Sequence, residues 1–144
     1  AHDGGKELVD AVKDAQAVSA KEGSLASNLE ATMKLQDLEV IVTSPPAPGW
    51  GGRYWIFVKV TTDNGIVGIG ECYASSVGPT TMSHVIHDVF DRHMEGQSPE
   101  DVELMFRRAY SSGFTQRPDL TVMGAFSGLE IACWDILRSS EKKL

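Results

Sequence analysis

Hydrophobic and polar positions alternate most clearly between residues 54 and 72, YWIFVKVTTDNGIVGIGEC. Trp55, Ile56, Phe57, Val58 and Val60 are the aromatic and β-branched residues that suit a pleated, half-buried strand. Thr62-Asp63-Asn64-Gly65 follows, and Asn-Gly supplies the positive φ values of a two-residue type I′ turn. Ile66-Val67-Gly68-Ile69-Gly70-Glu71 then reads as a second strand, with glycines where a bulge or a close backbone approach is expected. Upstream, Leu35, Leu38, Val40 and Val42 predict a first strand that ends at Ser44. The stretch between them, PPAPGWGG, is a loop: its prolines lack backbone donors and its glycines have no preferred conformation.

Beyond the hairpin the period changes from two to 3.6. After an irregular run (YASSVGPTT), Thr80 or Thr81 caps a helix whose inward face is Met82, Val85, Ile86, Val89 and Phe90, ending near Gly96. Ser98-Pro99-Glu100-Asp101 starts another, with Val102, Met105, Phe106, Ala109 and Tyr110 inward. A third irregular run, 111–120, leads to a helix from Thr121. Its wide face of Val122, Ala125, Phe126, Leu129, Ala132, Cys133, Ile136 and Leu137 makes it the main lid of the core. The expected fold is α+β: a three-stranded antiparallel meander followed by three helices packed on one sheet face.

Residues 1–32 differ from the rest. Leu8, Val12, Ala15 and Ser19 fall at helical spacing, but the stripe is narrow and alanine-rich. They read as an extra N-terminal helical arm, either a functional helix or a segment joined on by an expression vector or a shifted reading frame. The domain proper is 33–144, with Met33 as a natural start.

Composition narrows the function classes. The 144 residues, 42% hydrophobic and 23% charged, suit one globular domain with a sizeable core. A net charge of −7 argues against a nucleic-acid surface, which needs clustered Lys and Arg. No apolar run approaches the roughly 20 residues that span a bilayer, and the N-terminus has no signal-peptide pattern. Cys72 and Cys133 sit in apolar strand and helix patterns, as two buried thiols in a reducing compartment. The expected location is the cytoplasm.

Candidate chemistry is sparse. His84 and His87 are three apart with Asp88, Asp91 and His93 near, but the apolar stripe turns His84, His87 and Asp91 outward, against a metal site. Gly68-Ile69-Gly70 lacks the third glycine and the following helix of a dinucleotide fingerprint. Glu130 is placed to pair with Arg107 or Arg108.

The element order, with FVKVTTDNGIVGIGE, EGQSPEDVELMFRRAY and GAFSGLEIACWDI, resembles the N-terminal capping domain of the enolase superfamily, in the mandelate racemase and muconate-lactonising branch. The last motif is the most specific, with small residues at Gly124, Ala125, Ser127 and Gly128 before Glu130 and Trp134-Asp135. The resemblance covers about residues 33–137, and the Gln116-Arg117-Pro118-Asp119 loop is most similar to acid-sugar dehydratases. It implies a partner, a C-terminal (β/α)₈-type barrel of ~200 residues, which carries the carboxylates for Mg²⁺ and the Lys or His bases. Leu137 to Lys143 departs from the glycine-and-proline run that usually leads into that barrel. No metal ligand or base of the family has a position in this chain.

For this chain the resemblance implies substrate enclosure by two loops, 44–53 and 72–81, around a small carboxylate such as an acid sugar. Trp50, Arg53, Tyr73 and Glu71 are the candidate substrate contacts. Arg53 would pair with a carboxylate or sugar hydroxyl, and otherwise is a solvated charge. Trp50 otherwise packs against its own loop, and Tyr73 is otherwise a strand-end aromatic. Without a barrel, Val122, Phe126 and Trp134 are expected to be uncovered, so that the chain forms a homo-oligomer or folds its own arm back.

Overall fold

The computed structural model describes residues 33–48, 54–73, 77–111 and 119–141. The expected arm, Trp50 and Arg53 lie outside the described residues. Three antiparallel strands, β1 (Leu35–Thr43), β2 (Trp55–Thr62) and β3 (Val67–Cys72), lie in sequence order. Three helices follow: α1 (Pro79–His93), α2 (Val102–Ser111), entered through a 3₁₀ turn (Pro99–Asp101), and α3 (Leu120–Glu141). This is the expected α+β meander with three helices.

The alternation in β2 sends Ile56, Val58, Val60 and Thr62 inward, while Trp55, Phe57, Lys59 and Thr61 are half-buried on the opposite face. In β3 the inward positions are Gly68, Gly70 and Cys72. Two of those three carry no side chain, so α3 comes down onto the strand backbone. A Cβ on Gly68 or Gly70 would overlap the carbonyl oxygens of Ala132 and Gly128 respectively, and one on Gly128 would lie 2.8 Å from the Cys72 nitrogen. The glycines therefore mark a close approach, and β3 runs beside β2 in unbroken register from Ile56↔Cys72 to Thr61↔Val67. The ladder's irregularity is instead in β1, between Leu35 and Asp37.

Helix α3 supplies Ala125, Phe126, Leu129, Ala132, Cys133 and Ile136 to the core, with Met82, Ile86, Val89 and Phe90 from α1 and Val102, Met105 and Ala109 from α2. Each large apolar side chain so buried contributes about 1.5–3 kcal/mol. By length and composition alone α3 is apolar enough to cross a membrane, which the run-length reading did not anticipate. Part of that apolar surface, including Phe126, Leu129 and Ile136, is buried against the sheet and the other helices, while Leu120 and Ile131 are exposed.

The structure corrects several local expectations. The hairpin turn is not a two-residue type I′. Thr62 N–H donates to Ile66 O (2.9 Å) around a three-residue loop, Gly65 N–H donates to Thr62 O (2.9 Å), and Gly65 takes φ +79°. A three-residue loop of this kind needs the left-handed residue in third place, where glycine stands. The buried Thr62 hydroxyl selects it by accepting from Ile66 N–H (2.9 Å) and donating to Asn64 Oδ1 (2.7 Å). Helix α1 begins earlier than expected, with Gly78 as N-cap and Pro79 in its first turn, and has no side-chain cap. Phe106 and Tyr110 are not inward residues: they stack on each other at the surface, 5.8 Å between centroids. Phe126 is fully buried and meets Phe106 edge-on at 5.6 Å, so it offers no uncovered surface. Arg107 and Arg108 bond Glu103 (2.6 Å) and Gln97 (3.0 Å), not Glu130.

Candidate functional site

Register fixes which chain ends meet. Thr43 faces Trp55 and Ile56 faces Cys72, so the end of β1, the start of β2 and the end of β3 share one end of the sheet. The opposite end is tied by hydrogen bonds: Leu35 N–H to Gln97 O (2.9 Å), Gly96 N–H to Leu35 O (2.8 Å), and Lys34 N–H to Asp63 Oδ1 (3.0 Å). The connections that leave the first end are those expected to face a substrate.

Two bolts organise that end. The Tyr54 hydroxyl donates to the Val77 carbonyl at 2.9 Å, across 23 residues. Tyr54 and Val77 also pack against the core, and Gly78 directly afterwards begins α1. The second bolt joins Tyr73 to α3. Its N–H donates to Gly124 O (3.3 Å), and a Cβ on Gly124 would come within 3.2 Å of the Tyr73 Cβ. One residue back, the Cys72 thiol lies 3.5 Å from Ala125 O. The first turn of α3 is closed by Asp119, whose Oδ1 accepts from Thr121 N–H (2.8 Å) and Val122 N–H (3.0 Å). The ends of the first two connections and the start of α3 are thereby held at fixed spacing.

Of the candidate contacts, Tyr73 stands at this end with 57% of its surface exposed. Glu71 is also exposed, but on the sheet face away from the helices, opposite Phe57 in the register. The structure thus separates these two across the sheet edge. His84, His87 and Asp91 are exposed, as their place outside the apolar stripe predicts. Among the described residues no three His, Cys, Asp or Glu gather into a group that could hold a metal ion.

The buried groups are chemically quiet. Burial pushes the Cys72 and Cys133 thiols each up to about 12, so both stay protonated and unreactive at neutral pH. His93, at the end of α1, is lowered by burial and by the neighbouring Arg92, and its Nε2 is enclosed without a hydrogen-bond partner among the described residues.

Sequence reasoning missed three residues that shape this region. Asp119 had a legible signal, an acid just ahead of an apolar helical run. Asp135 accepts from the edge amide of Ile69 at 3.0 Å, a contact across 66 residues that no local pattern announces. Tyr54 had none beyond being an aromatic at a strand's start.

Comparison with known proteins matches this architecture. A sequence profile described as "Mandelate racemase / muconate lactonizing enzyme, N-terminal domain" matches residues 50–142. Among solved structures, the chain is similar to a mandelate racemase/muconate lactonizing enzyme from Sulfitobacter sp. (79% identity, TM-score 0.73, covering 76% of this chain and 28% of that one). One from Roseovarius sp. TM1035 follows with 75% identity and TM-score 0.72, covering 75% of this chain and 27% of that one. Among curated proteins, it is 30% identical over 104 residues to a D-galactonate dehydratase family member from Cellvibrio japonicus, covering 72% of this chain and 24% of that protein. It is 34% identical over 82 residues to the D-galactonate dehydratase of Klebsiella pneumoniae, covering 57% of this chain and 21% of that protein. The chain spans about a quarter of the length of these relatives, and a C-terminal part beyond the shared region is implied for the proteins of this kind. By its fold, its glycine-packed last helix and these matches, the chain belongs to the mandelate racemase/muconate lactonizing enzyme family, as an N-terminal capping domain of the enolase superfamily.

Proposed function

We propose that this chain is the substrate-enclosing part of an acid-sugar dehydratase that abstracts the proton α to a carboxylate. The observation that carries the reading is the gathering of the strand ends and connections at one end of the sheet, bolted by Tyr54 to Val77 and by Tyr73 to Gly124. The naming of curated relatives as D-galactonate dehydratases supports the substrate class. Proton removal belongs to the C-terminal barrel, where bound Mg²⁺ would stabilise the developing enediolate. Among the described residues no three His, Cys, Asp or Glu gather into a group that could hold that metal.

This chain's work is to exclude water and to orient the distal part of the acid sugar. Arg53 pairs with a carboxylate or hydroxyl of the substrate, and Trp50 and Tyr73 wall the pocket. Alone, the chain is inactive and self-associates through the outer face of α3, where Trp134 is 56% exposed beside Ile131. Residues 1–32 are an appended arm, whose deletion leaves the fold of 33–144 intact. The enzyme works in the cytoplasm.

The test is a chimera in which residues 33–141 replace the matching part of the Sulfitobacter protein. Mg²⁺-dependent dehydration of acid sugars, weakened at least tenfold in KM by Arg53→Ala, is the expected result. Racemisation or cycloisomerisation without dehydration would replace this reading with another activity of the same family. Light scattering of the 144-residue chain over a dilution series should show a concentration-dependent dimer.

A further inference from the structure

We propose that Tyr54 is a positioning residue for substrate recognition, acting through the Val77 carbonyl; this rests on the reading that its end of the sheet faces the substrate. The two ends of the connection from Tyr73 to Val77 are held by different partners. Tyr73 is held by its N–H bond to Gly124 O and by close packing on Gly124, hence by α3. Val77 is held by the Tyr54 hydroxyl, hence by the start of β2.

Tyr54 immediately precedes β2, and Val77 stands just ahead of Gly78, the N-cap of α1. A single 2.9 Å bond therefore ties the start of β2 to the residue ahead of the α1 N-cap. The chemistry is specific to the hydroxyl. The ring is packed against the core and stays in place without it, while the Val77 carbonyl, one residue ahead of the N-cap Gly78, has no role in the α1 hydrogen-bond ladder. Removing the hydroxyl frees the carbonyl and leaves the apolar packing untouched. Tyr54 touches no reacting atom in this scheme. It fixes where Val77, the far end of the connection from Tyr73, stands relative to the start of β2, and so affects how substrate is held more than how fast it reacts.

The experiment uses Tyr54→Phe with Ile56→Val, a core truncation on the neighbouring strand position, as the control for general loosening. In the 144-residue chain, hydrogen exchange of peptides covering 72–82 should accelerate about tenfold in Tyr54→Phe, with peptides covering 33–40 unchanged. In the chimera, Tyr54→Phe should raise KM for the acid sugar about tenfold with kcat within twofold, and Ile56→Val should leave KM unchanged. Unchanged exchange at 72–82, or an active chimera whose KM moves no more in Tyr54→Phe than in Ile56→Val, overturns the proposal. A chimera with native Tyr54 that dehydrates no acid sugar overturns the substrate reading instead. The exchange result on the 144-residue chain, with KM for whichever α-carboxylate the chimera does convert, then decides Tyr54.

Discussion

Gly70 on β3 and Gly128 on α3 face each other with no space for a side chain on either. A Cβ on Gly70 would overlap the Gly128 carbonyl oxygen, and one on Gly128 would overlap the Cys72 sulfur and crowd its nitrogen and Cα. Backbone atoms stand under 3.0 Å in both cases, beside the Cys72 sulfur in the second, so relaxation must displace a strand or a helix. Gly70→Ala should destabilise the domain by about 3 kcal/mol or more, at the upper end of overpacking costs. Gly78→Ala, with nothing within 4 Å of its Cβ position, should cost far less. Urea unfolding of both variants compares them directly, and equal midpoints would show that helix and strand do not touch as described.

Asp135 covers one outward amide of β3, an edge strand of the sheet. Its Oδ2 accepts from Ile69 N–H, which points away from β2. Asp135→Ala should cost about 0.5–1.5 kcal/mol, the scale of one typical intramolecular hydrogen bond, since solvent reaches this one. It should also increase aggregation, because an uncovered edge amide invites another strand. Asp135→Asn keeps an acceptor and should recover most of the loss, read by thermal melts with parallel light scattering.

The thiols should be inert in the folded chain. With Cys72 and Cys133 both pushed up to about 12 by burial, an aromatic disulfide reagent at pH 8 should label neither until the chain unfolds. In guanidinium chloride both should react at once. Labelling of the native protein at a rate independent of denaturant would mean that the strand–helix seam opens without global unfolding.

His93 gives the domain an acid-sensitive corner. Its folded value lies below the ordinary 6.5, chiefly through burial, with Arg92 and Arg108 opposing protonation and Asp88 favouring it. The unfolded chain therefore takes the proton first as pH falls. The stability that the neutral ring contributes is complete above about pH 6.5 and is lost as pH drops toward the folded value. Urea midpoints at pH 7.5 and 5.5 should differ more in the native sequence than in His93→Gln. Parallel pH dependences in the two proteins would place the sensitivity elsewhere.

What the sequence made legible is what neighbouring residues decide. Ile56, Val58 and Val60 alternate because a strand with one buried face must, and Met82, Ile86, Val89 and Phe90 recur at helical spacing for the same reason. The glycines of GIVGIGE announced a close approach, although the partner, α3, is some sixty residues away. The length of the hairpin turn was misread because Asn-Gly is compatible with two geometries, and the Thr62 hydroxyl chooses between them. Phe126 was expected at the surface because one stripe was assigned to a barrel, whereas α2 supplies the Phe106 edge that covers it. At the candidate site Tyr73 was legible as a strand-end aromatic. The bonds from Tyr54 to Val77 and from Asp135 to Ile69 were not, since each joins residues that only the folded chain brings together.

The seam between β3 and α3 also acts as a lock on sliding. Strand side chains alternate with a period of two, so the inward positions that flank Gly68 and Gly70 are the buried Ile66 and Cys72, and moving α3 along β3 in either direction would bring one of their side chains toward the helix carbonyls now seated on the glycines. No small axial adjustment is open to the helix, as it would be if flexible side chains separated the two. Whatever follows Glu141 in a longer relative of this chain therefore inherits its direction from the sheet. A tilt imposed at that junction would arrive at Tyr73 through a rigid rod and not be absorbed on the way.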